Sequence, residues 1–257
     1  MVPMKIKRCC FDKLWNEISS PEISILLGAR QVGKSTLMQQ LLSKAKKNGY
    51  KTSYYDLEQP SDLNSLAGPQ QDVIDKIVKD VQAVFIDEFH YLKNASKIFK
   101  TIYDQKKSLK IYASGSSSLA IHKHLKESLA GRFKRTIIYP LNLDEWKRVP
   151  KFNNDEYLRW GGMPGLLHQS SEDERVDLLE NIVSTYITKD IKGLIKEENI
   201  RSFNSLLYLL AQAQGSMVVV SNLARETGLK EITVARHLEI ISQTYVMHVL
   251  PSFSQNL

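Results

Sequence analysis

The chain is poor in the residues that build several familiar kinds of site or compartment signal. Only two of its 257 residues are cysteine, and Cys9 and Cys10 are adjacent. Neighbouring thiols are badly placed for a structural disulfide and too few for a zinc site, so neither is expected. No stretch approaches the roughly twenty apolar residues that span a bilayer. The start, Met4-Lys5-Ile6-Lys7-Arg8-Cys9-Cys10, is basic, but no apolar signal segment follows it. The expected setting is a reducing cytoplasm, away from membranes. No internal repeat or low-complexity tract occurs. His122 and His124 alternate on an expected helix without a further ligand, which makes them surface residues rather than a metal pair. The formal charge of +7 permits contact with an acidic partner such as nucleic acid without requiring it.

What is present is more specific. With 42% hydrophobic residues, the chain can bury one substantial core and a smaller second one. Gly28-Ala29-Arg30-Gln31-Val32-Gly33-Lys34-Ser35 has the form G-x-x-x-x-G-K-[ST] of a phosphate-binding loop. Ile23-Ser24-Ile25-Leu26-Leu27 leads into it as a buried strand, and Leu37, Met38, Leu41, Leu42 and Ala45 follow at helical spacing. Backbone N–H groups of such a loop close around phosphates, and the helix N-terminus adds partial positive charge. Lys34 is expected to reach the β- and γ-phosphates, and Ser35 to hold Mg²⁺ through its hydroxyl. Gly28, Ala29, Arg30, Gln31, Val32, Gly33, Lys34, Ser35 and Thr36 together form the expected nucleotide-binding set.

A second motif supplies carboxylates. Ala83-Val84-Phe85-Ile86 reads as a strand buried on both faces of a parallel sheet, and it ends in Asp87-Glu88. Ligands of open α/β sheets gather at the C-terminal ends of strands. Asp87 is expected to hold Mg²⁺, directly or through water, and Glu88 to act as base on the attacking water.

Strand and helix signals alternate as far as about residue 145. The expected strands are Ile23–Leu27, Thr52–Leu57, Ala83–Ile86, Leu109–Ala113 and Thr136–Tyr139, with a leading helix around Phe11, Leu14, Trp15 and Ile18. That rhythm predicts an α/β fold with a parallel sheet flanked by helices. Helical patterns alone follow, through Val176, Leu179, Ile182, Val183 and Tyr186, then Phe203, Leu206, Leu207 and Leu210. A linker is expected near Val149–Asn154. The expected division is 1–149 for the nucleotide core, 150–198 for a helical linker or lid, and 199–257 for a winged helix-turn-helix region. In that last region Ser221 caps a short helix that Thr227-Gly228 ends. A second helix turns Ile232, Ala235, Leu238 and Ile241 inward, and Tyr245–Leu250 forms a strand. Thr233, Arg236 and His237 then face outward, where Arg236 and its neighbours can meet DNA, diluted by Glu231 and Glu239.

Together with Ser114-Gly115-Ser116-Ser117, Leu129-Ala130-Gly131-Arg132 and Gly161-Gly162-Met163-Pro164, these motifs resemble the archaeal- and bacterial-type AAA ATPases, more narrowly the group whose C-terminal domain is uncharacterised. The resemblance covers nearly the whole chain. It implies a P-loop core of five strands, with one strand inserted between the phosphate-loop strand and the acidic-tipped one, and a winged-helix region behind. It makes Ser116 a sensor of the γ-phosphate and Arg132 an arginine finger, acting in its own site or in a neighbouring subunit's. Arg30 is placed to touch nucleotide or a neighbouring subunit. Ala29 stands where relatives often have proline. Relatives generally continue into a domain resembling a restriction endonuclease, which this chain is expected to lack, so no nuclease role carries over.

The expected function is an ATP-binding, Mg²⁺-dependent ATPase that switches its contacts with a macromolecular partner and can do so as a homo-oligomer. The alternative is a DNA-binding protein whose occupancy ATP controls. A defective ATPase kept for interaction is a third reading, against which Lys34, Ser35, Asp87 and Glu88 all count. ATP is favoured over GTP by the resemblance, and no guanine-reading Asn-Lys-x-Asp motif is present.

Overall fold

A computed structural model describes residues 6–106, 108–116, 129–150, 153–192, 194–195 and 200–250. His122, His124 and Ser117 lie outside the described residues. The chain forms two compact units, Met1–Leu179 and Glu180–Leu257.

The first unit is built on five parallel strands, β1 (Ile23–Gly28), β2 (Thr52–Asp56), β3 (Ala83–Asp87), β4 (Lys110–Ser116) and β5 (Phe133–Ile137), in the order β2-β3-β4-β1-β5. The sequence decides who sits where. The three central strands are buried along their whole length, as continuous apolar runs should be. Thr52-Ser53-Tyr54-Tyr55-Asp56 and Phe133-Lys134-Arg135-Thr136-Ile137 carry more polar side chains and take the edges. The expected inserted strand is β4, which separates β1 from β3.

Helix α1 (Phe11–Asn16) is followed by a 3-10 turn at Glu17–Ser19, and α2 (Lys34–Lys47) leaves the phosphate loop. Leu14, Ile18, Leu37, Met38 and Leu41 pack with Leu26, Phe85 and Tyr112 in one core. The Phe85 and Tyr112 rings stack at 5.0 Å, and the Tyr112 hydroxyl donates to the Leu14 carbonyl at 2.6 Å. Alternation turns Ile25, Leu27, Val84, Ile86, Ile111 and Ala113 to the opposite face, where all are buried. Beside β2 lies the short α3 (Pro60–Ser65). Helices α4 (Gln70–Val78) and α5 (Ala95–Gln105) pack against each other and bury Val73, Ile74, Ile77, Ile98, Phe99 and Ile102. Then come α6 (Leu143–Trp146), α7 (Asn154–Trp160) and α8 (Glu172–Thr185).

In the second unit a π-helical turn, Tyr186–Ile191, precedes α9 (Ile200–Gln212), α10 (Val220–Thr227) and α11 (Glu231–Gln243). Helices α10 and α11 follow one another across a short turn, and Gly228 closes α10 with φ 69°. Three local expectations are corrected. Ser221 is not the cap: Val219 holds that position, and no side chain caps the helix. The buried stripe of α11 is Val234, His237, Ile240 and Ile241, while Ile232 is 79% exposed. His237 therefore faces inward, its ring edge-on to Phe203 at 5.2 Å, and burial pushes its pKa below the usual imidazole value. A neutral imidazole makes an acceptable apolar partner, which a pattern that counts histidine as polar misses. Finally, Tyr245–Leu250 is not a strand. Tyr245 adopts φ 59°, and no described segment pairs with it, so an extended run there has no ladder to join. Among the described residues the helix-turn-helix has no wing.

Candidate functional site

The site forms at the C-terminal edge of the sheet, where β1, β3 and β4 end side by side. Gly28 closes β1 opposite Ser116 at the end of β4. A Cβ on Gly28 would run into the Ile138 carbonyl, so the tight approach of β1 to the segment after β5 requires glycine. Gly33 has φ +92°, and Gln31 also adopts a left-handed conformation. These angles bend the loop back so that α2 starts at Lys34.

Lys34 is buried and its ammonium donates to the carbonyls of Gly28 at 3.2 Å and Ala29 at 2.9 Å. Its nitrogen also stands 3.9 Å from Glu88 Oε1. Ser35 and Thr36, in the first turn of α2, are open to solvent. Arg30 lies 3.7 Å from Glu58.

Both carboxylates are held from behind. Asp87, 2% exposed, accepts from the Ser114 hydroxyl and, at 3.1 Å, from the Tyr54 hydroxyl. Such outer contacts fix the orientation of a carboxylate, which a metal ligand would require. Glu88 sits in a left-handed conformation just past the end of β3, which turns its side chain back over the sheet edge. Its Oε2 accepts from the Ser116 N–H at 2.8 Å and lies 3.2 Å from His90 Nδ1, though not in hydrogen-bond alignment. Burial pushes the Glu88 pKa up, but the nearby His90, Lys34 and the Ser116 N–H outweigh it and hold the carboxyl at about 2. Glu88 is therefore ionised at any physiological pH.

A nucleoside triphosphate with Mg²⁺ fits this donor set. Glycines whose added Cβ would collide or be strained, a buried lysine and a braced aspartate are what phosphates and their cation require. Among the described residues no three His, Cys, Asp or Glu side chains cluster to hold a metal by themselves. Magnesium in nucleotide sites needs only one or two protein oxygens, because the phosphates supply others. Ser35 and Asp87 are the residues that would hold it.

Of the expected site residues, the structure brings together the loop from Gly28 to Thr36, Asp87, Glu88 and Ser116. Arg132 is not with them. Its carbonyl pairs with the Ile23 N–H at the start of β1, the opposite edge of the sheet, and its guanidinium is forked onto Asp104 at 2.9 and 3.4 Å. The length of β1, on the order of 17 Å, separates it from its own chain's loop. A role in its own site is thus excluded by parallel topology, since residues that enter a strand lie far from those that leave it.

Sequence reading missed three supports. Tyr54 and Ser114 brace Asp87; Tyr54 carries no motif signal, and Ser114 opens the Ser114-Gly115-Ser116-Ser117 motif without any sign in the sequence that it braces Asp87. Arg8, in the basic run at the start of the chain, is only 7% exposed and donates to Val32 O at 2.8 Å, Tyr139 O at 2.6 Å and Glu145 Oε2 at 3.0 Å. Glu145 forms a capping box with Asn142, a pattern legible in Asn142-Leu143-Asp144-Glu145. Gly161-Gly162-Met163-Pro164 is structural: a Cβ on Gly162 would meet the Leu141 carbonyl, and Pro164 packs beside Gly33.

Residues 20–147 match the AAA domain family, and residues 152–257 match a domain of unknown function, DUF8612. Residues 20–147 are thus an AAA domain, followed in sequence by an uncharacterised domain. Among curated proteins it is 25% identical to an uncharacterized protein of Methanocaldococcus jannaschii, over 91% of this chain and 57% of that relative. The chain thus spans a little over half of the relative's length. Similar solved structures include AMPPCP-bound DnaA from Aquifex aeolicus, 15% identical over 92% of this chain and 87% of that one, with a TM-score of 0.46. Domain III of the Thermotoga maritima replication initiation protein DnaA is 15% identical over 84% and 88%, at 0.43. PCH-2 of C. elegans is 13% identical over 91% and 70%, at 0.39. The fold rests on the strand order and the loop rather than on these distant likenesses.

Proposed function

We propose that the chain is a Mg²⁺-dependent ATPase, working in the cytoplasm as a nucleotide-controlled switch on a macromolecular partner. The observation that carries the reading is the meeting of Lys34 and Glu88 at the C-terminal edge of the sheet, 3.9 Å apart. Without nucleotide each is the other's counter-ion. A triphosphate offers Lys34 a stronger partner, and the carboxylate is then released to take a proton from water. Bound ATP and Mg²⁺ supply the phosphoryl group and the charge that neutralises it. The protein's own residues would do the rest: the loop N–H groups and Lys34 would orient the phosphates, Asp87 and Ser35 would hold the cation, and Ser116, at the end of β4 beside Glu88, would sense the γ-phosphate. The three-part division at 149/150 and 198/199 belongs to the same reading, with the middle segment as a lid.

The test is a calorimetric titration of Mg·ATP into the wild type and Lys34→Ala. The reading expects the variant to lose binding, because the phosphates lose their buried cation. Equal affinity would end it.

A second reading, DNA binding controlled by ATP, is supported by the α10–α11 helix-turn-helix with Arg236 exposed. Glu231 and Glu239 on the same exposed face, and the inward turn of His237, weaken it. Fluorescence anisotropy at low salt decides. If DNA binds, affinity should fall steeply with salt and Arg236→Glu should weaken it without touching ATPase activity. No binding with or without ATP retires the reading.

A further inference from the structure

We infer that Arg8 is a positioning residue for the phosphate-binding loop, aimed by Glu145, so that the loop holds its shape through a buried fork from outside the motif. The inference rests on the nucleotide-binding reading above.

Arg8 presents its three nitrogens to three different parts of the first unit. Nη1 reaches Val32 O inside the loop, Nη2 reaches Tyr139 O past the end of β5, and Nε reaches Glu145 Oε2 on α6. Only a planar guanidinium spans three acceptors in fixed directions; an ammonium cannot. Glu145 is itself fixed. It accepts from the Cys9 N–H and the Asn142 N–H, and burial, which pushes its pKa up, is outweighed by the Cys9 N–H, Arg8 and the Asn142 N–H. Both side chains are more than nine-tenths buried, so removing either leaves a charge without its partner in a dry place.

The consequence for the loop follows from peptide geometry. In a planar trans peptide the carbonyl and the next N–H point in opposite directions. Holding the Val32 carbonyl on Arg8 therefore aims the Gly33 N–H away from the guanidinium. Gly33 lies beside this fork, and it is its φ of +92° that favours glycine there, since an added Cβ would meet Arg8 Nη1 only at an ordinary contact of 3.5 Å. Because Glu145 neutralises Arg8, the fork contributes direction rather than extra positive charge. It also ties the loop to the cluster of Leu141, Trp146, Leu166 and Met163 that surrounds α6. Arg8 thus makes the loop's conformation depend on a segment more than a hundred residues away in sequence.

Calorimetric titration of Mg·ATP into the full chain tests this, with wild type, Arg8→Lys, Glu145→Gln, the double variant and Lys34→Ala compared well below each melting midpoint. Arg8→Lys should weaken ATP binding about 10-fold or more although the protein is fully folded, since a lost charged hydrogen bond is of that size. Glu145→Gln should weaken it by less, and the double variant should be no weaker than Arg8→Lys alone, because Glu145 acts through Arg8. A merely structural fork would lower the melting midpoint and leave the affinity of the folded protein unchanged. Wild-type affinity in Arg8→Lys, or fully additive losses in the double variant, overturns the inference. Should Arg8→Lys not fold, wild-type affinity in Glu145→Gln overturns it. Loss of binding in Lys34→Ala with none in Arg8→Lys defeats this inference alone, whereas wild-type binding in Lys34→Ala defeats the nucleotide reading on which it stands.

Discussion

At the scale of single residues, the site is a set of charges arranged so that each is held by something that nucleotide can replace or use. Folding lowers the Glu88 pKa from an ordinary 4.5 to about 2. A depressed carboxyl stabilises the fold while ionised, so its contribution is present above about pH 4.5 and disappears as the pH falls through that window. Thermal melts of wild type and Glu88→Gln should therefore converge on acidification, and a constant difference from pH 7 down to 2 would contradict the assignment. Lys110 has the opposite sign. Burial lowers its pKa to about 8, so its charge costs stability at neutral pH, and stability should rise as the pH passes from about 8 towards 10. The same rise should be missing from Lys110→Met. Gly28→Ala should fail more bluntly, because its Cβ meets the Ile138 backbone rather than a side chain that can turn away. Overpacking of that kind costs on the order of 1–3 kcal/mol, and melting curves with ATP titration would read both the loss and its effect on binding.

At the scale of elements, most of the first unit could be read in advance. Runs such as Ala83-Val84-Phe85-Ile86 say both strand and buried, and the loop motif between a strand and a helix says where the sheet's functional edge lies. Ala95, Ile98, Phe99, Ile102 and Tyr103 recur at helical spacing in the sequence, and α5 buries the first four of them. What escaped is what depends on distant partners. Arg8 and Glu145 are separated by 136 intervening positions, so no local pattern pairs them. Arg132 sits next to a strand start, and its place relative to the loop became evident only once β5 was known to run parallel to β1. In the second unit, His237 misled the pattern because a buried neutral imidazole looks polar in sequence, and Tyr245–Leu250 had strand-forming residues but no neighbouring strand. The inward His237 carries a prediction: His237→Phe should keep or raise the melting midpoint, whereas His237→Asp should lower it, since a charge would be buried against Phe203.

At the scale of the whole molecule, Arg132 remains a proposal only between subunits. Pointing away from its own loop, it could complete a neighbour's site, and arginine fingers contribute about 10³–10⁵ in rate. If so, specific activity should rise with protein concentration, and mixing Arg132→Ala with Lys34→Ala should restore activity neither has alone. Activity flat across dilution with no rescue would leave Arg132 as a surface ion pair with Asp104. The central claim, that Lys34 and Glu88 form the working pair of an ATPase, is tested most directly by single-turnover phosphate release from Glu88→Gln loaded with Mg·ATP. The amide keeps the shape of the side chain but cannot take a proton, so the account predicts ATP bound and retained with phosphate release nearly abolished. Phosphate release at the wild-type rate would remove Glu88 from the chemistry and contradict it.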